Sequence, residues 1–184
     1  MIETLRALDQ QAFLLLNGSH APWLDITMVY ASKTLTWLPL YLALLYYIIK
    51  YDRDTALVVL IGVVVTIVLS DQITSTLMKP LFSRLRPSWN PALTSLIHIV
   101  DGYKGAKFGF PSSHSANTFG TAIFLILVYR KRWMFWLLLW AALVSYSRIY
   151  LGVHYPADVI AGAIVGGICA WLSSVALKYY RVKN

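Results

Sequence analysis

Cysteine and acidic residues are scarce in this chain of 184 residues. Its single cysteine, Cys169, lies inside an apolar run, so neither a disulfide framework nor a thiolate metal site is available. Aspartate and glutamate together number eight against sixteen lysines and arginines, and charged residues make up only 13% of the chain. So few acids leave little material for a site in which carboxylates hold two metal ions.

Apolar residues take the place of the missing charges. They form 58% of the chain, and the mean hydropathy is +0.61. A soluble domain averages about 45–50% apolar and about 25% charged residues. A chain of this length cannot bury such an excess in its own core, which predicts one membrane-embedded domain over 1–184 with the lipid bilayer as its solvent. The net charge of +8 suggests nucleic acid, but the basic residues form no RNA- or DNA-reading motif, so no nucleic-acid partner is expected.

Five apolar runs predict an all-α, polytopic transmembrane helix bundle, since a span needs about 20 residues. The runs are 22–50, which Lys33 and Pro39 interrupt, 55–78, 111–129, 133–149 and 156–179. Before them, 1–20 predicts an amphipathic helix that lies in the membrane interface, because its apolar residues share one helical face. The residues on that face include Leu5, Leu8, Ala12 and Leu15.

Basic residues mark one side of the predicted bundle as cytoplasmic. They flank the spans at Lys50 and Arg53, in the 130–132 turn and in the C-terminal tail at Lys178 and Arg181. The loop 81–110 and the connection 150–155 then lie on the extracytoplasmic face of a bacterial cytoplasmic (inner) membrane. Lysines and arginines occur there too, against the rule, and a bound anion would explain them.

Three polar clusters fall on that extracytoplasmic side, within 79–158. They are Lys79 with Arg86, then Ser112, Ser113 and His114, then Arg148, His154 and Asp158. Singly, most have an ordinary explanation, since basic residues snorkel at helix ends, serines cap helices and first-turn acids suit the helix dipole. An arginine in an apolar span is different, because a central one costs about 2.5–3.5 kcal/mol on insertion scales. None of these explanations accounts for the fact that all three polar clusters fall on the same side of the membrane.

Together the clusters have the composition of a phosphate site. Lys79, Arg86 and Arg148 supply three cations, enough to neutralise a phosphoryl group and the charge that develops during its transfer. The first turn of the third span supplies free N–H groups at the positive end of the helix dipole. The hydroxyl groups of Ser112 and Ser113 add further donors.

Two histidines can take different roles in the reaction, one as nucleophile and one as acid and base. Asp158 lies four residues after His154 and can fold back onto one imidazole nitrogen, because Pro156 keeps His154 just outside the helix. That contact would fix the tautomer and leave the other nitrogen free to attack phosphorus. His114, once protonated, would donate to the leaving oxygen and later accept a proton from water. We therefore expect catalysis without a metal ion or any other cofactor.

In order and spacing, the three clusters resemble the three motifs of the type 2 phosphatidic acid phosphatase superfamily, the lipid phosphate phosphatases. The resemblance implies that His154 forms a phosphohistidine, that Asp158 assists it and that His114 is the general acid. It also implies phosphate binding by the three cations and catalysis without metal. The family usually has glycine where this chain has Ser113, and a positive φ there would be uncomfortable for serine. The family often has six spans, whereas this sequence predicts five.

Three hypotheses remain open. The first is an integral membrane lipid phosphate phosphatase that hydrolyses a phosphomonoester or a diphosphate, with phosphatidylglycerophosphate, phosphatidic acid and undecaprenyl diphosphate as candidate substrates. The second is a membrane phosphotransferase that passes the phosphoryl group to an acceptor other than water. The third is a non-catalytic helical membrane protein, which leaves the one-sided clusters unexplained. The sequence chooses neither the lipid nor an oligomeric state.

Overall fold

Helices account for most of the protein in a computed structural model that describes residues 2–183; Met1 and Asn184 lie outside it. Within the described range there is no β-strand beyond an isolated bridge between Leu85 and Phe108. The helices are α1 Ile2–Gly18, α2 Pro22–Ser32, α3 Leu38–Tyr51, α4 Ala56–Asp71, α5 Lys79–Phe82, α6 Ser113–Tyr129, α7 Trp136–Tyr150 and α8 Pro156–Lys183. The predicted all-α fold is confirmed.

Among the described residues, two stretches of helix are long and apolar enough to cross a membrane. One is Ala56–Phe82, in which α4 continues through a π-helical segment, Gln72–Met78, into α5. The other is Pro156–Val182 of α8. Helices α6 and α7 have 17 and 15 residues, fewer than the roughly 20 that a crossing needs. The count of five spans therefore stays a prediction.

The first apolar run is divided into two helices. Helix α2 ends at Ser32, a 3₁₀ turn follows at Thr34–Trp37, and α3 then begins with Pro39 in its first turn. Proline suits that position, where the backbone N–H has no intrahelical acceptor. The indole of Trp37 donates to the carbonyl oxygen of Ala31 at 2.9 Å and ties the turn to the end of α2. The interruption at Lys33 and Pro39 thus corresponds to this turn, with α2 against α7 and α3 beside α4.

Helix α6 is the centre of the bundle and packs against α4, α7 and α8. Glycines let α8 approach it closely. A Cβ added to Gly162 would lie 2.3 Å from the carbonyl oxygen of Ser112, and one added to Gly166 would lie 2.1 Å from that of Ala116. The small-residue face of the last apolar run is therefore used for packing within the chain.

The outer faces of the two long helices are apolar. On α4 the exposed side chains are Leu57, Ile61, Val64 and Val68, and on α8 they are Ile160, Ile164, Ile168 and Trp171. Their spacing of three or four residues makes a continuous strip along each helix. Monomeric soluble proteins rarely expose apolar patches of this kind, whereas a bilayer would cover them.

The basic end of the bundle gathers the segments predicted to be cytoplasmic. Arg181 near the end of α8 donates to Asp52, which follows α3. The ring of Tyr47 packs against Tyr129 at the end of α6 and against Trp133, with centroids 5.3 and 5.0 Å apart. The ends of α3, α6 and α8 therefore meet here, opposite the polar clusters.

Helix α1 lies at the other end, beside the polar clusters. Asn17 donates to the carbonyl oxygens of His98 and Tyr150 at 3.0 and 2.7 Å, and Phe13 is fully buried. The predicted apolar face points away from the protein, since Leu5, Leu8 and Leu15 are exposed. An interfacial position for α1 fits this arrangement and remains a prediction.

Candidate active site

One cavity of about 580 Å³ receives side chains from all three polar clusters. Its polar end is lined by Lys79, Arg86, Ser113, His114 and His154. These residues come from the end of the long α4–α5 helix, the following loop, the start of α6 and the turn between α7 and α8. The tertiary fold therefore brings together groups that are up to 75 positions apart in the sequence.

Lys79 is anchored by hydroxyl groups rather than by an acid. Its Nζ donates to Oγ of Ser113 at 2.6 Å and lies 3.4 Å from Oγ of Ser75. The Ser113 hydroxyl also contacts Ser75 at 2.8 Å and accepts from Thr74 at 2.9 Å. Thr74 and Ser75 belong to the π-helical segment, whose wider turn moves them toward α6. The positive charge of Lys79 therefore stays available to an anion.

Arg86 is 7% exposed, and its Nε donates to the carbonyl oxygen of Phe108 at 3.1 Å. A glycine allows the loop to close over it. Gly105 has φ +63, and a Cβ at that position would lie 2.1 Å from Nη1 of Arg86. The loop 81–110 thus holds this guanidinium in one orientation.

Arg148 lies at the same end, beside the cavity. It is 2% exposed and donates to the hydroxyl of Ser32, which lines the cavity, and to that of Tyr103 at 3.2 Å. Its Nε has no hydrogen-bond partner among the described residues. A buried guanidinium with a free donor suits an anion that arrives with the substrate.

His154 lies in a tight turn that is hydrogen-bonded to the backbone of Arg148. The N–H groups of Val153 and His154 both donate to the Arg148 carbonyl oxygen, at 3.1 and 3.2 Å, and Gly152 takes φ +73. The imidazole is 1% exposed. Burial lowers the pKa of His154 well below its ordinary value, and the charges of Arg86 and Arg148 lower it further. The ring is therefore neutral at pH 7, as a nucleophile must be.

Asp158 approaches His154 as the spacing predicted. Its Oδ2 lies 3.4 Å from Nδ1 of His154 and accepts from the N–H of Tyr155 at 2.9 Å. The first distance exceeds the usual 2.7–3.2 Å, and the backbone of Gly109 forms a hydrogen bond with the same ring. With Nδ1 held on this side, Nε2 is the nitrogen left for attack.

Two further residues, which sequence analysis missed, hold Asp158 in place. Arg84 donates from Nη1 to Oδ1 of Asp158 at 2.8 Å and from Nη2 to Oδ2 of Asp9 at 2.6 Å. Asp9, on α1, also accepts from the N–H of Ala157 at 2.8 Å, and the Arg84 guanidinium lies 4.1 Å from the centre of the Tyr155 ring. Arg84 lies in the loop predicted to be extracytoplasmic, where the positive-inside rule disfavours basic residues. That position was the one sign in the sequence that Arg84 has a role at the site.

Ser112 is placed differently from the other predicted phosphate ligands. It is the N-cap of α6: its Oγ accepts from the N–H of Ser115 at 3.4 Å, and its own N–H donates to the carbonyl oxygen of Asp158 at 2.9 Å. It is fully buried and does not line the cavity. Its contacts therefore organise the start of α6.

Within residues 2–183, no group of three or more His, Cys, Asp or Glu side chains is close enough to hold a metal ion. Asp71 lines the cavity and lies 3.3 Å from the hydroxyl of Ser75. His20 and His98 stack on each other with centroids 3.9 Å apart, and neither lines the cavity. Lys79 and Arg86 supply positive charge at the polar end of this cavity.

Comparison with known proteins decides the family. The profile of the PAP2 superfamily matches residues 56–181, which include all three clusters. This chain belongs to the PAP2 superfamily. Together with its phosphatase relatives, this membership indicates a hydrolase acting on phosphate esters, so the hypothesis of a non-catalytic membrane protein is set aside.

Several relatives share this assignment. The chain is 45% identical over 176 residues to the lipid A 4′-phosphatase of Bacteroides thetaiotaomicron, covering 94% of this chain and 78% of that one. It is 34% identical over 173 residues to the undecaprenyl-diphosphatase of Sulfolobus acidocaldarius, covering 91% and 76%. The crystal structure of a transmembrane PAP2 type phosphatidylglycerolphosphate phosphatase from Bacillus subtilis superposes with a TM-score of 0.65 at 25% identity, covering 98% and 87%. This PAP2 protein is therefore a membrane lipid phosphatase.

Proposed function

We propose that this PAP2 protein hydrolyses the phosphate monoester of an acylated glycolipid such as lipid A, through a phosphohistidine formed on His154. The observation that carries the proposal is the position of His154. Its imidazole is buried and neutral, and it lines one cavity with Lys79, Arg86 and His114. A bare nitrogen beside fixed positive charge is what nucleophilic attack on a phosphate dianion requires.

In the first step, Nε2 of His154 attacks phosphorus and the bond from phosphorus to the lipid oxygen breaks. Lys79, Arg86 and Arg148 balance the charge that spreads over the phosphoryl oxygens. His114 gives its proton to the departing alcohol. Asp158, held by Arg84, keeps the His154 ring oriented and stabilises the positive charge that the ring gains when it becomes phosphorylated.

In the second step, a water molecule attacks the phosphohistidine and inorganic phosphate leaves. His114, now neutral, accepts the proton of that water and returns to its starting state. Each histidine thus ends the cycle as it began, and neither step requires a metal ion. The same intermediate could be intercepted by another acceptor, as the phosphotransferase hypothesis holds, so product analysis is part of the test below.

The site should face away from the cytoplasm of a bacterial cell, with the protein in the inner membrane. The polar cavity lies at one end of the bundle, and the basic turn 130–132 and the C-terminal end of α8 lie at the other. Basic flanks favour the cytoplasmic side, which also assigns the C-terminus to the cytoplasm. A cysteine introduced at each end and labelled from outside intact cells would test this topology.

The substrate class rests on the relatives. The 45% identity to a lipid A 4′-phosphatase, over nearly the whole chain, favours a phosphate monoester on an acylated sugar. The undecaprenyl-diphosphatase relative makes a polyprenyl diphosphate the second candidate. Phosphatidylglycerophosphate and phosphatidic acid complete the set to be compared.

The test is a phosphate-release panel over these four lipids, with purified wild type and His154→Ala, with and without EDTA. We expect fastest release from lipid A, no dependence on EDTA, and a loss of about 10³-fold or more in His154→Ala. His20→Ala, a histidine exposed outside the cavity, is the matched control. Release that His154→Ala retains, or that EDTA abolishes, would contradict the mechanism, and a phosphorylated acceptor in place of free phosphate would show a transferase.

A further inference from the structure

The active-site cavity extends well below the phosphate end into the apolar part of the bundle. It follows α6 from His114 to Leu125, eleven residues, which corresponds to about 16 Å along a helix. Its deeper walls are apolar side chains of α3, α4 and α7, among them Leu44, Val63 and Val144. A volume of about 580 Å³ is within the range of roughly 300–1,000 Å³ that small-molecule sites occupy.

Two polar groups interrupt these apolar walls. Asn117 lies one helical turn below His114, and Trp140 faces the same cavity from α7. Within residues 2–183, the Oδ1 of Asn117 and the Nε1 of Trp140 are buried atoms that have no hydrogen-bond partner. Trp140 is 8% exposed. Buried polar atoms are normally paired, so two unpaired ones that line one cavity indicate a ligand.

The hydroxyl groups next to Asn117 cannot donate to its Oδ1, because each already donates elsewhere, and among the described residues no acceptor is paired with the Trp140 Nε1. The Thr118 hydroxyl donates to the carbonyl oxygen of His114 at 2.9 Å, and that of Thr121 donates to the carbonyl oxygen of Asn117 at 2.8 Å. Other buried polar atoms without partners, such as Ser145 Oγ and Ser173 Oγ, belong to residues that do not line the cavity. The pair on the cavity wall is therefore distinct from the rest.

Asn117 and Trp140 require different hydrogen-bond partners. An indole N–H only donates, so Trp140 requires an acceptor such as a carbonyl oxygen. The Asn117 Oδ1 requires a donor, such as an N–H. An amide offers both at once, an ester offers only the carbonyl oxygen, and an ether or a polyprenyl chain offers neither N–H nor carbonyl.

We propose that Asn117 and Trp140 form a subsite that binds the amide linkage of an N-acyl chain, in the part of the cavity below the phosphate of the lipid substrate. The subsite deepens the proposed function and rests on it, because the acyl chain enters the cavity from the phosphorylated head group. It explains how one cavity can prefer an acylated phosphoglycolipid over a polyprenyl diphosphate. Asn117 and Trp140 are thereby specificity-determining residues for the tail linkage.

The experiment compares three synthetic phosphate monoesters that differ only in an amide, ester or ether linkage to the same alkyl chain. The variants are Asn117→Leu, which removes the acceptor, and Trp140→Phe, which removes the N–H. Trp171→Phe, whose indole is exposed on the outer face of α8, is the matched control. The readout is the ratio of kcat/KM between linkages, which cancels any general loss of activity.

We expect the amide-to-ether ratio to fall about tenfold in each variant, the loss of one hydrogen bond. The ester-to-ether ratio should fall only in Trp140→Phe, because an ester has no donor for Asn117. Trp171→Phe should leave both ratios unchanged. Ratios that stay at the wild-type value in both cavity variants, or that fall equally in Trp171→Phe, would overturn the subsite. Because the two variants remove different atoms, either one suffices if the other does not fold.

Binding separates this inference from the proposed function. The Kd values of the phosphate-free amide, ester and ether lipids for His154→Ala, with and without the cavity substitutions, test the subsite in the absence of catalysis. If wild type releases no phosphate from any lipid, the proposed function fails while these Kd ratios still decide the subsite. If wild type is active and the Kd ratios do not change, the subsite alone is wrong.

Discussion

Arg84 donates to Asp158 at 2.8 Å, and Asp158 is fully buried. The contact occupies Oδ1 of the carboxylate and leaves Oδ2 directed at His154 and at the N–H of Tyr155. Arg84 does not line the cavity, so we expect it to act on the proposed reaction through Asp158. We therefore predict that Arg84 positions Asp158 and does not bind phosphate, and kinetics can distinguish these two roles.

Arg84→Gln should lower kcat about 10- to 100-fold with little change in KM. Losses of this size are typical when a residue that orients a functional side chain, here Asp158, is removed. The neutral amide cannot keep both Asp158 and Asp9 in place. Steady-state kinetics on the preferred lipid would show the effect, with Arg53→Gln, exposed at the opposite end, as control. A rise in KM at constant kcat would instead mean that Arg84 binds phosphate.

Asp9→Asn should weaken the ion pair that holds Arg84, and through Arg84 the position of Asp158. Asp9 links α1 to Arg84 and to the N–H of Ala157, so a loss of about 3- to 10-fold in kcat is expected. The informative measurement is the double variant Asp9→Asn/Arg84→Gln. Because both residues act on Asp158, it should be little worse than Arg84→Gln alone, whereas independent residues would give multiplied losses.

The pH dependence of kcat/KM should report His154. Its pKa is lowered by burial and then by Arg86 and Arg148, so the neutral nucleophile persists below pH 6.5 and activity on the acid side falls only below that value. Arg86→Gln removes one positive charge, which favours the protonated ring and raises the pKa. The acid limb should therefore move to higher pH in this variant, in addition to any loss of phosphate binding. An acid limb at the same pH in both proteins would exclude this electrostatic coupling.

Ser113→Gly tests the position where the chain departs from the family pattern. Ser113 is the first residue of α6 and is not among the described residues with positive φ, so the strain that serine would suffer at a positive φ does not arise. Glycine would remove the hydroxyl that accepts from Lys79 at 2.6 Å and loosen the helix start. We expect a loss of stability of about 0.5–1 kcal/mol and a reduction in kcat/KM of a few-fold. Thermal unfolding in detergent and steady-state kinetics would measure both, and unchanged values would mean that phosphate alone positions Lys79.

Gly162→Ala should disturb the start of α6. The added methyl would lie 2.3 Å from the Ser112 carbonyl oxygen, which is backbone and cannot move aside without shifting the N-cap. Overpacking of this kind costs about 1–3 kcal/mol, and activity should fall with it. Gly167→Ala is the matched control, because its methyl would meet only the tip of Ile123 at 3.3 Å. Equal unfolding temperatures for the two variants would show that α6 and α8 separate easily.

Local spacing predicted most of the polar end of the cavity. Lys79, Arg86, His114 and His154 line it as expected from their positions at the ends of apolar runs. Ser112, which the sequence predicts to bind phosphate, caps α6, because the side chain of an N-cap turns back onto its own helix, and phosphate binding by Ser112 stays a prediction. The π-helical segment that carries Thr74 and Ser75 to Ser113 was not predicted, since no residue pattern in 72–78 distinguishes it from α-helix.

The sequence by itself determined that this chain is helical, that it belongs in a membrane and that its polar clusters lie at one end, because these properties follow from composition and from residues a few positions apart. Only the tertiary structure decided that Asp9 and Arg84 support Asp158, and that Asn117 and Trp140 face one cavity. Asp9 and Arg84 are separated by 75 positions, and no local periodicity links them. They meet because α1 packs against α8, which places Asp9 beside both Arg84 and the N–H of Ala157 in the first turn of α8.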